Sequence, residues 1–174
     1  QTYVMGVINI TTDSFSGDGT TDLEVAVARG REFVADGADI LDVGGQSTRP
    51  VLSAKIEAQL SGDALDPKPP EITSEEEIRR VVPVIRRLVE EVDVPISIDT
   101  YKSDVAHAAL EAGAVMVNDV WGLKKDADLA AVVAEHKAVL ILMHNQMGTT
   151  YQNLIPDLLS SLSESIGIAI DSGV

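Results

Sequence analysis

No cysteine occurs in the 174 residues, so a disulfide framework and a thiolate metal site are both excluded. Aromatic residues make up only 3% of the chain, and the apolar share rests instead on Ala, Val, Ile and Leu. Cations are scarce as well: 13 Lys and Arg face 28 Asp and Glu, for a net charge of −15. That balance argues against a non-specific nucleic-acid surface, which needs clustered Lys and Arg. It equally disfavours docking to an anionic membrane. No apolar run is long enough to cross a bilayer, and no secretory signal is visible at the start. The expected compartment is therefore the cytoplasm. What remains is a soluble globular composition, 45% apolar and 24% charged, sized for one domain or part of a larger one. The acidic surplus reads as a solvated exterior.

Along the chain, short aliphatic runs alternate with segments of helical spacing. Tyr3 to Ile8 reads as a strand, followed by a loop of Asn, Thr, Asp, Ser and Gly residues. Leu23, Val27, Phe33 and Val34 then repeat with helical period, with Asp22 as a cap and Gly37 as a stop. Ala38 to Val43 is the second strand. Residues 51–73, with Pro67-Lys68-Pro69-Pro70, are too long and too proline-rich for a tight connection. They are expected to form a flexible insertion, with at most a short helix near Ala54–Leu60. Thr73-Ser74-Glu75-Glu76-Glu77 carries a capping-box pattern and opens a helix with Pro83 inside it. Pro95–Asp99, Val115–Asn118 and Val139–Met143 are further strands. Ser103–Ala112, Asp126–His136 and Ile155–Ile170 are helices, the last with Gly167 as a weak spot.

Strict alternation of β and α implies a parallel sheet. The even repetition predicts an α/β fold of the parallel (β/α)8 TIM-barrel type, with about five of eight βα units in residues 1–174. An open doubly wound sheet is the alternative. Such a sheet usually carries a Gly-rich phosphate loop after its first strand, and Asn9-Ile10-Thr11-Thr12-Asp13-Ser14-Phe15 has none.

Every strand ends in polar or polarisable residues. They are Asn9; Asp42, then Ser47, Thr48 and Arg49; Asp99 and Thr100; Asn118 and Asp119; and Met143, His144 and Asn145. In a barrel these positions meet on the face that carries the active site. Strand-end Asp and Asn also cap helices, so any one of them has a structural explanation. Asp99 and Asn118 stand out because each directly follows apolar residues. A buried carboxylate needs partners, and an acceptor-only Asp beside a donor-and-acceptor Asn matches a flat heterocycle with amino, N–H and carbonyl groups. Met143 offers a soft contact to a ring face, while Thr48 and Arg49 suit an anion. His107 and His136 read as surface residues. His144 lacks partners at metal-ligand spacing, and Trp121 alone makes no stacking platform.

The stretches MGVINITTDSF, DILDVGGQSTRP, EEEIRRVVPVI, ISIDTYKSDVAHAALEAGAVMVNDVWG and LMHNQ occur in this order. In this combination the chain resembles the dihydropteroate synthase family of pterin-binding barrels. The resemblance implies condensation of a hydroxymethyl-dihydropterin diphosphate with p-aminobenzoate, releasing diphosphate, with Mg²⁺ as cofactor. It implies that Asp99 and Asn118 bind the pterin, lined by Val120 and Met143, and that Asp42 supports the strand end from beneath. Asn9 would place the diphosphate and its metal, and with Asp99 would carry the catalysis. Thr48 and Arg49 would approach the diphosphate and p-aminobenzoate, whose ring Phe15 and Pro50 would clamp. A homodimer of the full-length protein is expected.

Three departures from the family pattern are visible. Gln46 stands where Glu is usual, Thr12 where Pro is usual, and the acid of the first loop, Asp18, is displaced by one position. The family's later pterin-binding and anion-binding residues have no counterpart here. The segment is therefore expected to belong to a longer chain and to be inactive alone. A methyltetrahydrofolate-binding methyltransferase and a non-catalytic pterin-binding homologue are the rival readings.

Overall fold

The computed structural model describes residues 2–11, 20–46, 71–146 and 150–174. Five strands alternate with five helices among them. The order is β1 (Met5–Asn9), α1 (Leu23–Ala35), β2 (Ile40–Gly44), α2 (Ser74–Glu91), β3 (Ile96–Asp99), α3 (Ser103–Glu111), β4 (Met116–Asp119), α4 (Leu129–His136), β5 (Val139–Leu142) and α5 (Leu154–Asp171).

All strands are parallel, in the spatial order β1-β2-β3-β4-β5. A doubly wound sheet reverses its strand order at a switch point. This sheet never reverses, so right-handed crossovers place every helix on one face, as in a barrel wall. Ile8, Leu41, Val43, Ile96, Ile98 and Val117 point to that face, all at most 2% exposed. They pack on Val27 of α1, Val81, Ile85 and Leu88 of α2, and Val105 and Ala109 of α3.

Local chemistry explains the element ends. Asp22 accepts from the N–H groups of Glu24 and Val25 and caps α1. Thr73 accepts from Glu76 N–H, and three glutamates follow in the first turn of α2, complementing its dipole. Pro83 leaves α2 continuous and lies on its exposed side, where a carbonyl freed of its helical bond is open to solvent. Gly37 and Gly113 stop α1 and α3 at φ of +100° and +110°.

Some expectations shift. The first strand runs to Asn9 rather than Ile8. The fourth helix starts at Leu129 and not at Asp126: Asp126 forms a turn ahead of it, with Oδ1 accepting from Asp128 N–H at 3.0 Å, while its Oδ2 accepts from Ser103 N–H at 2.7 Å at the start of α3. His107 and His136 are not free surface residues. They are partly buried and joined across α3 and α4, Nδ1 to Nε2, at 2.9 Å. Gly167 leaves α5 unbroken. Residues 51–70 of the expected insertion, with its short helix, lie outside the described residues.

Candidate active site

Strand alternation sorts the inner face into two rows. The lower row, in register, is Val7, Asp42, Ser97, Met116 and Val139. The upper row, at the carboxyl ends, is Asn9, Gly44, Asp99, Asn118 and Ile141. Five residues distant in sequence thus become neighbours on one edge, since in-register side chains of parallel strands share a face.

Gly44 opens a notch in the upper row. A Cβ there would lie 3.5 Å from Asp99 Oδ2 and 3.9 Å from Asn9 Oδ1, so glycine leaves the Asn9 and Asp99 side chains facing one cradle. Beneath it, the Asn118 amide donates to Asp42 Oδ2 at 2.9 Å, reaching over β3. That bond leaves the Asn118 carbonyl oxygen and one amide N–H for other partners.

The centre of this surface is short of donors. Asp42 Oδ1, Ser97 Oγ and Asp99 Oδ1 are buried without a hydrogen-bond partner. Asp99 as a residue keeps some exposure, yet this oxygen is sealed off. Its pKa is pushed up to about 8, first by burial and then by the like charges of Asp42, Glu77 and Asp119. Burial also raises Asp42. The Asn118 amide works against this, as does the nearby Ser97 hydroxyl, which stands outside hydrogen-bond geometry. A cluster of underused carboxylates at the carboxyl ends of the strands is the arrangement expected of a functional site. A ligand bearing several N–H groups would meet Asp99 Oδ2, which borders the Gly44 notch, and the Asn118 carbonyl oxygen, which its bond to Asp42 leaves free.

Not every strand-end acid belongs to the cluster. Asp119 is 1% exposed and accepts from Trp121 N–H at 2.8 Å and Leu123 N–H at 2.6 Å. It holds the turn after β4, where Gly122 and Leu123 have positive φ. Burial raises its pKa, and those N–H groups oppose the shift. Thr100 likewise serves its own turn, accepting from Lys102 N–H. Val120 and Met143 follow directly after β4 and β5, and Met143 N–H donates to the Asp119 carbonyl at 3.2 Å. The Met143 side chain is exposed.

His144 is held by structure, with Nδ1 against Ser161 Oγ at 2.8 Å and Nε2 against Tyr151 Oη at 3.2 Å. Trp121 is covered by the Lys125 ammonium at 4.9 Å. These residues border an open cleft of about 470 Å³ between the turn after β4 and α5. Phe15, Thr48, Arg49 and Pro50, with Thr12 and Asp18, lie outside the described residues.

The sequence reading missed one cluster. Glu77 is 1% exposed, and its Oε2 pairs with Lys102 Nζ at 2.7 Å. The signal was available: Glu77, Val81, Ile85 and Leu88 share helical spacing, which places an acid on the apolar stripe of α2.

For a divalent cation, the upper row offers the Asn9 carbonyl oxygen. Among the described residues no group of three ionisable ligands is gathered. Mg²⁺ is commonly held by one or two protein oxygens together with substrate phosphates, and Asn9 is the upper-row residue that would serve it.

Residues 5–174 match the model of the family described as pterin binding enzyme. The whole chain is 47% identical to the dihydropteroate synthase of Clostridium beijerinckii, over 175 aligned residues. It spans 59% of that relative's length. It also superposes on a dihydropteroate synthase from Clostridium difficile crystallised with pteroic acid, at a TM-score of 0.82 and 40% identity, covering all of this chain and 60% of the other. A Xanthomonas albilineans dihydropteroate synthase with 4-aminobenzoic acid gives a TM-score of 0.80 and 37% identity, covering 100% and 58%.

Proposed function

The chain belongs to the pterin-binding enzyme family, and from that premise we propose that the full-length protein is a dihydropteroate synthase. It would join 6-hydroxymethyl-7,8-dihydropterin diphosphate to p-aminobenzoate in folate biosynthesis. The observation that carries the reading is the row Asn9–Gly44–Asp99–Asn118, with Asp42 and Ser97 beneath it and one oxygen of Asp42 and one of Asp99 buried without a partner.

The residues suit the reaction. Asn118, fixed by Asp42, presents a carbonyl and an N–H to the pterin edge, and Asp99 accepts from pterin N–H groups. Val120 and Met143 supply the apolar border. When the C–O bond to diphosphate breaks, its electron pair leaves with the diphosphate and the pterin methylene becomes cationic. Asp99, ionised against the pterin donors, stabilises that charge from a fixed position. The p-aminobenzoate amine then forms the C–N bond and releases a proton. Mg²⁺, when bound, neutralises the leaving diphosphate, and Asn9 would hold it. Thr48, Arg49, Phe15 and Pro50 are proposed for the diphosphate and p-aminobenzoate on the strength of the resemblance. The same footing supports a homodimer and a cytoplasmic location. No helix among the described residues is long and apolar enough to cross a membrane.

The test is titration calorimetry of the full-length protein with the pterin diphosphate and Mg²⁺, beside Asp99→Asn, followed by a turnover assay. Binding that the variant loses, with formation of dihydropteroate, supports the reading. Absence of both from the folded wild-type protein would overturn it.

A further inference from the structure

Lys102 is the second residue after Thr100, within the stretch Ile98-Asp99-Thr100-Tyr101-Lys102, and its local sequence gives it no evident partner. In the fold its ammonium reaches three elements. It donates to Glu77 Oε2 at 2.7 Å on α2, to Gln46 Oε1 at 2.7 Å after β2, and to the Ile72 carbonyl at 2.6 Å before α2. An ammonium has three N–H bonds, so these acceptors fill its donor capacity. The Lys102 side chain is 13% exposed and that of Glu77 2%. A charge pair this far from water persists only when its hydrogen bonds are complete.

Gln46 is bound at both ends of its amide, since Nε2 donates to Tyr101 Oη at 3.3 Å. The preceding Gly45 is pressed against α2: a Cβ there would lie 2.8 Å from both Glu77 Cγ and Val81 Cγ1. Arg80 Nη1 also donates to the Gly45 carbonyl at 3.2 Å. Gln46 is the residue from which the chain departs into 47–70, and Ile72 lies just past its return. One ammonium therefore holds the departure and the return together.

We propose that Lys102 is a positioning residue that pins the neck of the connection between β2 and α2, and so controls use of the p-aminobenzoate substrate without contributing to pterin binding. The inference rests on the synthase reading, in which residues of that connection meet the second substrate. The separation of effects follows from the geometry, because the Asp42–Asn118 bond and the Gly44 notch involve neither Lys102 nor Gln46.

Gln46→Leu is the principal test in the full-length protein, since it cuts the neck without stranding a buried charge. The expected result is a KM for p-aminobenzoate raised about tenfold or more, because misplacement of a supporting element is costly. The affinity for pterin diphosphate by calorimetry should stay within about twofold of wild type. Gln46→Glu, which keeps an acceptor for the ammonium, should restore KM. Lys102→Gln should raise the KM for p-aminobenzoate as Gln46→Leu does, and the double variant should raise it no further, as expected for one shared tie; pterin affinity is read on Gln46→Leu, because Lys102→Gln also uncovers the Glu77 charge that bears on Asp99. If Lys102→Gln fails to fold, Gln46→Leu decides alone. An unchanged KM, or an equal loss of pterin affinity, in an active protein overturns this inference only. A folded wild-type protein without pterin binding or turnover overturns the synthase reading and this inference with it.

Discussion

The amide of Asn118 donates to the carboxylate of Asp42 across 2.9 Å, over the intervening strand β3. An amide left to itself can rotate and present either end outward. Bonded to an acceptor-only carboxylate, it keeps its N–H₂ toward Asp42 and its orientation is set before any ligand arrives. Asp42→Ala should therefore weaken pterin binding roughly tenfold or more, the penalty of leaving one buried polar partner unmatched. Asp42→Asn, which retains an acceptor oxygen, should lose less. Calorimetric titration of both variants checks the order.

The pH dependence of stability follows from Asp99. Its pKa of about 8 in the folded chain lies above the ordinary value of 3.8, so the folded state holds a proton that the unfolded state has released. The ligand-free protein should lose stability from this group as pH rises above 4, until the loss levels off past 8. Asp99→Asn cannot ionise. Its Tm should equal wild type near pH 4 and exceed it at pH 8, by on the order of 5 °C. Melting curves at the two pH values measure this directly. A constant difference between variant and wild type would contradict it.

Neighbouring glycines should respond differently to one added methyl. At Gly45 a Cβ would meet side-chain atoms of Glu77 and Val81 at 2.8 Å, so Gly45→Ala should cost about 1–3 kcal/mol of stability. At Gly44 the nearest atoms stand at 3.5 Å or more, ordinary contact distances. Gly44→Ala should leave Tm nearly unchanged while filling the notch between Asn9 and Asp99, and so should reduce pterin affinity. Denaturation and calorimetry together separate the two outcomes.

Asp119 should behave as a structural residue. Removing its carboxylate in Asp119→Ala leaves the N–H groups of Trp121 and Leu123 without their acceptor, one of them buried. The expected loss is roughly 3 kcal/mol, read as a fall in the urea midpoint with an unchanged slope.

Much of the architecture could be read from residue order. Repeated aliphatic runs followed by helical spacing required a parallel sheet, and Asp22, Thr73, Gly37 and Gly113 punctuate the helices as their chemistry demands. The missed start of α4 has a specific cause. Asp126 looks like a local cap, but it is shared: Oδ1 accepts from Asp128 N–H at 3.0 Å, and Oδ2 accepts from Ser103, a residue of another helix, at 2.7 Å. The histidines failed for the same reason. His107 and His136 are 29 positions apart, and only the packing of α3 on α4 joins them.

The candidate site divides in the same way. Asn9, Asp99, Asn118 and Met143 were legible as strand-end residues, because where a strand stops depends on local pattern. Their common row was not, since register depends on long-range pairing. Asp42 and Asp119 look alike in sequence, each an acid within an aliphatic strand. Alternation turns Asp42 to the inner face and Asp119 to the helix side, where one steadies Asn118 and the other ties a turn. Sequence alone determined the alternation of elements, the acidic surface and the residue types at the strand ends. Tertiary structure alone decided which carboxylates lie together without donors, and that one lysine joins three elements, because both follow from contacts between residues that local sequence does not bring together.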